Sequence, residues 1–86
     1  MTLAEIKTKV ISIIVAKLGV DESEITPEAH FVNDLHADSL DSIEMVMEFE
    51  KAFSVSIPDE DAEKITNLSQ AMSYLCSKLG VELAEA

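Results

Sequence analysis

The sequence predicts an all-α fold: a small antiparallel bundle of three main helices plus one short helix, with a long loop between helices one and two. Apolar residues recur at spacings of three and four in three stretches, and each stretch opens on an N-capping pattern. No stretch alternates apolar and polar residues as a half-buried strand would. Of the 86 residues, 48% are hydrophobic, enough for one core, so residues 1–86 are expected to form a single domain. The lone Cys76 and the lack of a zinc-ligand cluster leave that core without a staple, which predicts modest stability.

The first helix is expected over Leu3 to Leu18. Thr2 and Glu5 form a capping-box pair, and Leu3, Ile6, Val10, Ile13 and Ile14 share one face. Gly19 stops it, because glycine adopts the left-handed conformation that closes a last turn; Leu18 and Val20 flank it for the accompanying apolar contact.

From Gly19 to Ala37 there is no sustained period, and Pro27 stands among several acids. Val20, Ile25, Phe31, Val32 and Leu35 would be wasted on a free linker, so this segment is expected to pack over the core. Helix two follows over Ser39 to Phe53 with Asp38 as N-cap and Asp41 near the positive helix end. Ile43, Val46, Phe49 and Phe53 are assigned to its inner face, Asp41, Glu44, Glu48 and Lys51 to the opposing stripe, and Leu40 and Met47 to the border. Glu50 falls inside the apolar arc, which either puts it at a helix edge or marks a mouth between helices.

Val55, Ile57 and Pro58 read as a short extended connection, and Asp59, Glu60 and Asp61 as the start of a short helix ending near Ile65. The last helix opens on Asn67 with Gln70, carries Leu68, Ala71, Met72, Leu75 and Leu79 as its stripe, and stops at Gly80. The tail from Val81 to Ala86 is expected to fray.

Charge narrows the partners. Seventeen acids against six basic residues give a formal net charge of -11, which repels phosphate backbones and anionic membranes and attracts proteins with basic patches. Nucleic acid is excluded as a partner on that ground. A lone cysteine and the lack of a secretory signal point to the reducing cytoplasm. The longest apolar run, Val10 to Ala16, is interrupted by Ser12 and far too short to span a bilayer, so no stable membrane insertion and a monomer are expected.

Ser39 is the residue with chemical interest. A serine after an aspartate commonly does no more than start a helix. Self-activation would need a base and an orienting third group, and His36 is the sole nearby histidine, with no Gly-x-Ser-x-Gly elbow, so no catalytic residue is assigned. Asp34, His36 and Asp38 alternate as in a calcium loop, but Ser39 stands where the turn glycine belongs and Met45 where the bidentate glutamate belongs. No metal site is assigned. The acids Asp59, Glu60, Asp61 and Glu63 are expected to attract cations only weakly.

The run Asp34-Leu35-His36-Ala37-Asp38-Ser39-Leu40-Asp41, continuing into Ile43-Glu44-Met45-Val46-Met47, resembles the attachment site of acyl carrier proteins of the discrete, fatty-acid-synthesis type. The resemblance extends over nearly the whole chain, through Leu18-Gly19-Val20, Phe31-Val32-x-Asp34-Leu35, Phe53, Ile57-Pro58-Asp59-Glu60 and Ala62-Glu63-Lys64-Ile65. It implies that Ser39 carries 4'-phosphopantetheine, attached from coenzyme A by a holo-acyl-carrier-protein synthase, a phosphopantetheinyl transferase. It also implies that growing acyl chains ride on that arm as thioesters between fatty-acid synthase enzymes and acyltransferases, the chain being their substrate rather than an enzyme.

For partner recognition the resemblance assigns Asp38, Asp41, Glu44 and Glu50 as an acidic rim, with Leu40 and Met47 as apolar contacts. For an acyl pocket it assigns Phe31, Ile43, Val46, Ile57, Ala62, Ile65, Leu68, Ala71 and Leu75, and Met47 and Met72 could help such a core adapt. Two departures stand out: His36 replaces a glycine common in close relatives, and Lys51 replaces an acid. If position 36 needs a positive backbone angle, histidine adopts it less readily than glycine. Peptidyl and other specialised carriers fit the acidic second helix and Asp38 less well. An unmodified acidic helical adaptor would share the bundle and need no prosthetic group.

Overall fold

A computed structural model describes residues 2–81. Its helices are α1 (Leu3–Leu18), α2 (Ser39–Phe53), α3 (Asp59–Ala62) and α4 (Leu68–Leu79), with a 3-10 turn at Glu22–Glu24 inside the long loop. The bounds expected for α1, α2 and α4 are the observed ones, because each is fixed by local chemistry. Thr2 and Glu5 exchange both bonds of a capping box, Asp38 and Asp41 do the same, and the Asn67 side chain accepts the Gln70 amide. Gly19 and Gly80 close α1 and α4 at φ of 66° and 72°. Ser54 closes α2 at φ 55° without being glycine.

Helix α1 packs on both α2 and α4. Lys9 lies over the Phe53 ring and Lys17 meets Glu48, so α1 and α2 run in opposite senses. Leu3 and Ala4 share a surface depression with Leu68 and Met72, so α1 and α4 start together. The core between them takes Ile6, Val10 and Ile14 from α1, Phe49 from α2 and Ala71 and Leu75 from α4, all without exposure. The long loop contributes Ile25, Phe31 and Leu35, as expected, and also Ala29 and Ala37. No polar or charged side chain is buried among the described residues.

The inner face of α2 differs from expectation. Its buried residues are Met45, Phe49 and Phe53, each successive step of four residues turning about 40° around the axis. Ile43 lies six residues before Phe49, about 120° away, and is 57% exposed instead of buried. Val46 sits between, half-buried against the core. The helix therefore has a second apolar strip, Leu40, Ile43 and Met47, outside the core.

Three further expectations are corrected. Val32 points out at 47% exposure, while its neighbour Phe31 is buried. The short helix stops at Ala62 rather than near Ile65, because Lys64 and Ile65 bond three residues back, to Asp61 and Ala62, instead of four. Val81 is tied down: its N–H donates to the Cys76 carbonyl at 2.9 Å and its side chain packs on the core. The rest of the expected frayed tail, 82–86, lies outside the described residues.

Candidate functional site

Ser39 is the first residue of α2 and is exposed. The segment delivering it is pinned on both sides. Phe31 and Leu35 are buried, the Ala37 N–H donates to the Phe31 carbonyl at 2.8 Å, and Ala37 is itself buried. His36 turns the chain between them at φ 65°, the left-handed angle that favours glycine, and its side chain stays in solvent. His30 starts this turn. Its Nδ1 accepts the amides of Val32 and Asn33 at 3.2 and 3.1 Å, and its own N–H donates to Asp34 Oδ2 at 2.8 Å. His30 thus caps this turn through a ring nitrogen, a role outside the usual set of capping side chains.

At the helix start, the Asp41 N–H donates to Asp38 Oδ1 at 2.8 Å and the Asp38 N–H to Asp41 Oδ2 at 3.3 Å. Both carboxylates are thus engaged in the cap. The amides of Ser39 and Leu40 are the remaining first-turn donors, at the positive end of the helix dipole.

Ser39 stands on the rim of a cleft of about 930 Å³ between α2 and α3. From α2 the cleft takes Ser39, Ser42, Ile43, Met45, Val46, Met47 and Glu50; from α3 and its flanks it takes Ile57, Asp59, Ala62, Glu63 and Ile65. Its walls are mainly apolar and its rim acidic. That combination suits an apolar guest held beside a polar anchor.

Five of the residues assigned to an acyl pocket meet here: Ile43, Val46, Ile57, Ala62 and Ile65. Phe31, Leu68, Ala71 and Leu75 do not line the cleft; they are at most 3% exposed and fill the interior of the bundle. Val32 and Met45 line it without having been assigned to it. Met45 lies on the buried face of α2 where Ile43 is expected, and Val32 turns outward where an apolar loop residue is expected to pack inward.

Of the recognition set, Asp38, Met47 and Glu50 line the cleft. Leu40, at 61% exposure, and Glu44 stand in solvent on the same helix, and Asp41 is half-buried in the cap. Glu50, the irregular acid, is placed at the mouth: its Oε2 accepts the Ile57 N–H at 2.8 Å.

Two other side chains with nucleophilic atoms, Cys76 and Tyr74, hold their protons more tightly than usual. Burial pushes the Cys76 thiol up, away from the thiolate form. The Tyr74 phenol is pushed up to about 12, first by burial, then by its hydrogen bond to Asp61 and the charges of Asp61 and Glu50. No helix among the described residues is long and apolar enough to cross a membrane.

The sequence model of the family described as "Phosphopantetheine attachment site" matches residues 8–75. The acyl carrier protein of Chlorobium phaeobacteroides is 55% identical over 78 residues, covering 91% of this chain and all of the relative. That of Chlorobium phaeovibrioides is 56% identical over the same span and coverage. Among solved structures, the acyl carrier protein from Enterococcus faecalis superposes with a TM-score of 0.78 at 38% identity, covering 90% of this chain and 98% of that one.

Proposed function

This chain belongs to the acyl carrier protein family, whose members carry acyl chains in fatty-acid synthesis on covalently attached 4'-phosphopantetheine, and we propose that Ser39 is the hydroxyl that holds the group here. One observation carries the assignment. Ser39 is exposed at the start of α2 and shares the rim of the apolar cleft between α2 and α3.

The residues present fit the group. An exposed hydroxyl is accessible to a transferase, and the free amides of Ser39 and Leu40 favour a phosphodiester at the helix start. The cleft beside it can shelter an apolar chain. When bound, the group supplies a thiol that holds acyl chains as thioesters. The chain's own residues orient and shelter: Asp38 and Asp41 fix the helix start, His36 and Ala37 set the approach, and Ile43, Val46, Ile57, Ala62 and Ile65 exclude water from a guest in the cleft.

The exposed strip Leu40, Ile43 and Met47 beside Glu44 offers partner enzymes an apolar contact inside an acidic field. A net charge of -11 favours partners with basic patches: a phosphopantetheinyl transferase, fatty-acid synthase enzymes and acyltransferases. We read the chain as a substrate and shuttle with no catalytic residue of its own, acting as a monomer in the cytoplasm. Asp38, Asp41 and Glu50 serve the fold as well, through the helix cap and the bond to Ile57.

The test is intact-mass analysis after incubation with coenzyme A and a broad-specificity phosphopantetheinyl transferase. The wild-type chain gains one phosphopantetheine and Ser39→Ala gains none. A wild-type chain that stays unmodified, or an Ser39→Ala chain that is modified, contradicts the assignment.

A further inference from the structure

Helix α3 is too short to hold itself in place. It has four residues, Asp59–Ala62, none of them buried, and three are acids whose charges repel one another. An isolated turn of this length has no stability of its own. Yet α3 and its flanks supply one wall of the cleft, through Asp59, Ala62 and Glu63. The opposite wall is α2, which is anchored in the core by Met45, Phe49 and Phe53. Any widening of the cleft therefore comes from movement of α3, the wall with least buried area.

Ile57 and Ile65, on either side of α3, are buried. At the Ile57 end, Glu50 on α2 accepts the backbone N–H. At α3 itself, the Tyr74 hydroxyl on α4 donates to Asp61 Oδ2 at 2.8 Å, in a half-buried contact. Asp61 does not line the cleft, whereas Asp59 and Ala62 on either side of it do. Lys78, one turn further along α4, sits 5.5 Å from the centre of the Tyr74 ring and helps to hold the ring on that helix.

We propose that the Tyr74–Asp61 hydrogen bond is a latch on the α3 wall, and that it sets the length of apolar chain the cleft accepts. The proposal rests on reading the cleft as the acyl site. With the bond in place, widening the cleft breaks a charge-assisted hydrogen bond; without it, α3 is free to move on its two isoleucine anchors. Tyr74 is thereby a positioning residue for cargo that it does not line the cleft to touch.

Tyr74→Phe removes the donor and keeps the ring, and Asp61→Asn keeps an acceptor oxygen. Hydrogen exchange at the amides of residues 61–65 is expected to be about tenfold faster in Tyr74→Phe, intermediate in Asp61→Asn, which keeps the bond without its charge, and unchanged at Val10 and Ile14 in all three. The proteins are then loaded with saturated acyl chains of increasing length and their melting temperatures compared. The gain in melting temperature levels off at a longer chain in Tyr74→Phe than in the wild type.

Equal exchange in wild type and Tyr74→Phe overturns the latch, as does acceleration spread equally through α1. A levelling-off at the same chain length in both overturns its role in cargo length. No dependence on chain length in either protein overturns the proposal through the cleft reading, and the exchange result then shows that the reading failed rather than the tether.

Discussion

The Glu50 carboxylate and the Ile57 amide meet at 2.8 Å, joining the middle of the second half of α2 to the approach to α3. The backbone carbonyl of Glu50 is used as well, accepting the amides of Ser54 and Val55 where α2 closes. An acid inside an apolar arc is thus accounted for: it satisfies a backbone donor on a residue that is only 5% exposed.

Glu50→Ala leaves the Ile57 N–H without its acceptor and is expected to cost about 1–3 kcal/mol, read from urea unfolding with an unchanged m-value. Glu50→Gln retains an acceptor oxygen and loses less than half of that. Equal losses in the two variants would show that the carboxylate charge, not the hydrogen bond, is what the fold uses.

His36→Gly relieves a left-handed residue at φ 65° whose side chain stays in solvent. The freer unfolded chain offsets part of the gain, so the net effect is neutral to about 1 kcal/mol stabilising by thermal or urea unfolding. Destabilisation beyond the experimental error would mean that the imidazole makes contacts that hold the loop.

His30→Ala removes the acceptor of two loop amides and is expected to cost about 1 kcal/mol, the usual worth of an N-cap; His30→Asn, a good capping residue, recovers most of it. Denaturant unfolding of the three proteins reads both values. Indistinguishable His30→Ala and wild-type curves would rule the cap out.

Tyr74 makes stability depend on alkaline pH. It is the only tyrosine in a chain without tryptophan, so its ionisation can be followed by absorbance. The folded phenol keeps its proton up to about 12, whereas an unfolded one loses it near 10. Below about 10 both states hold the proton and the contribution is complete. Between about 10 and 12 the unfolded state alone releases it, so stability falls as pH rises through that window. Titration in buffer should give a midpoint near 12 and titration in urea one near 10, with the fall attributable to Tyr74 absent in Tyr74→Phe. Midpoints near 10 under both conditions would remove the hydrogen-bonded phenol.

What could be read from the sequence was what neighbouring residues decide. Thr2 with Glu5, Asp38 with Asp41, Asn67 with Gln70, and Gly19 and Gly80 mark five of the six ends of α1, α2 and α4; the close of α2 at Ser54 has no such signal. Ser39 stands at the start of α2, where the Asp38 capping pattern puts it. The side of α2 on which Ile43 lies was not, because that helix has two apolar arcs, one for the core and one for the cleft, and the pattern of apolar residues does not say which is which. For the same reason Leu68, Ala71 and Leu75 could not be told from cleft residues: core and cleft wall demand the same side chains and differ only in what faces them. The end of α3 depended on a switch in hydrogen-bond spacing that its acids do not announce. His30 capped a turn through a ring nitrogen, outside the usual set of capping side chains.

With the arm on Ser39 and the cargo in the cleft beside it, as proposed, loading changes the surroundings of the cleft methyls. Methyl chemical shifts of the chain loaded with an eight-carbon acyl group, against those of the same chain carrying the unacylated arm, read this out. The predicted result is large shifts at Ile43, Val46, Ile57, Ala62 and Ile65, small ones at Leu68, Ala71 and Leu75, and no loading of Ser39→Ala. Shifts concentrated in the interior between α1 and α4, with the cleft methyls unmoved, would contradict it.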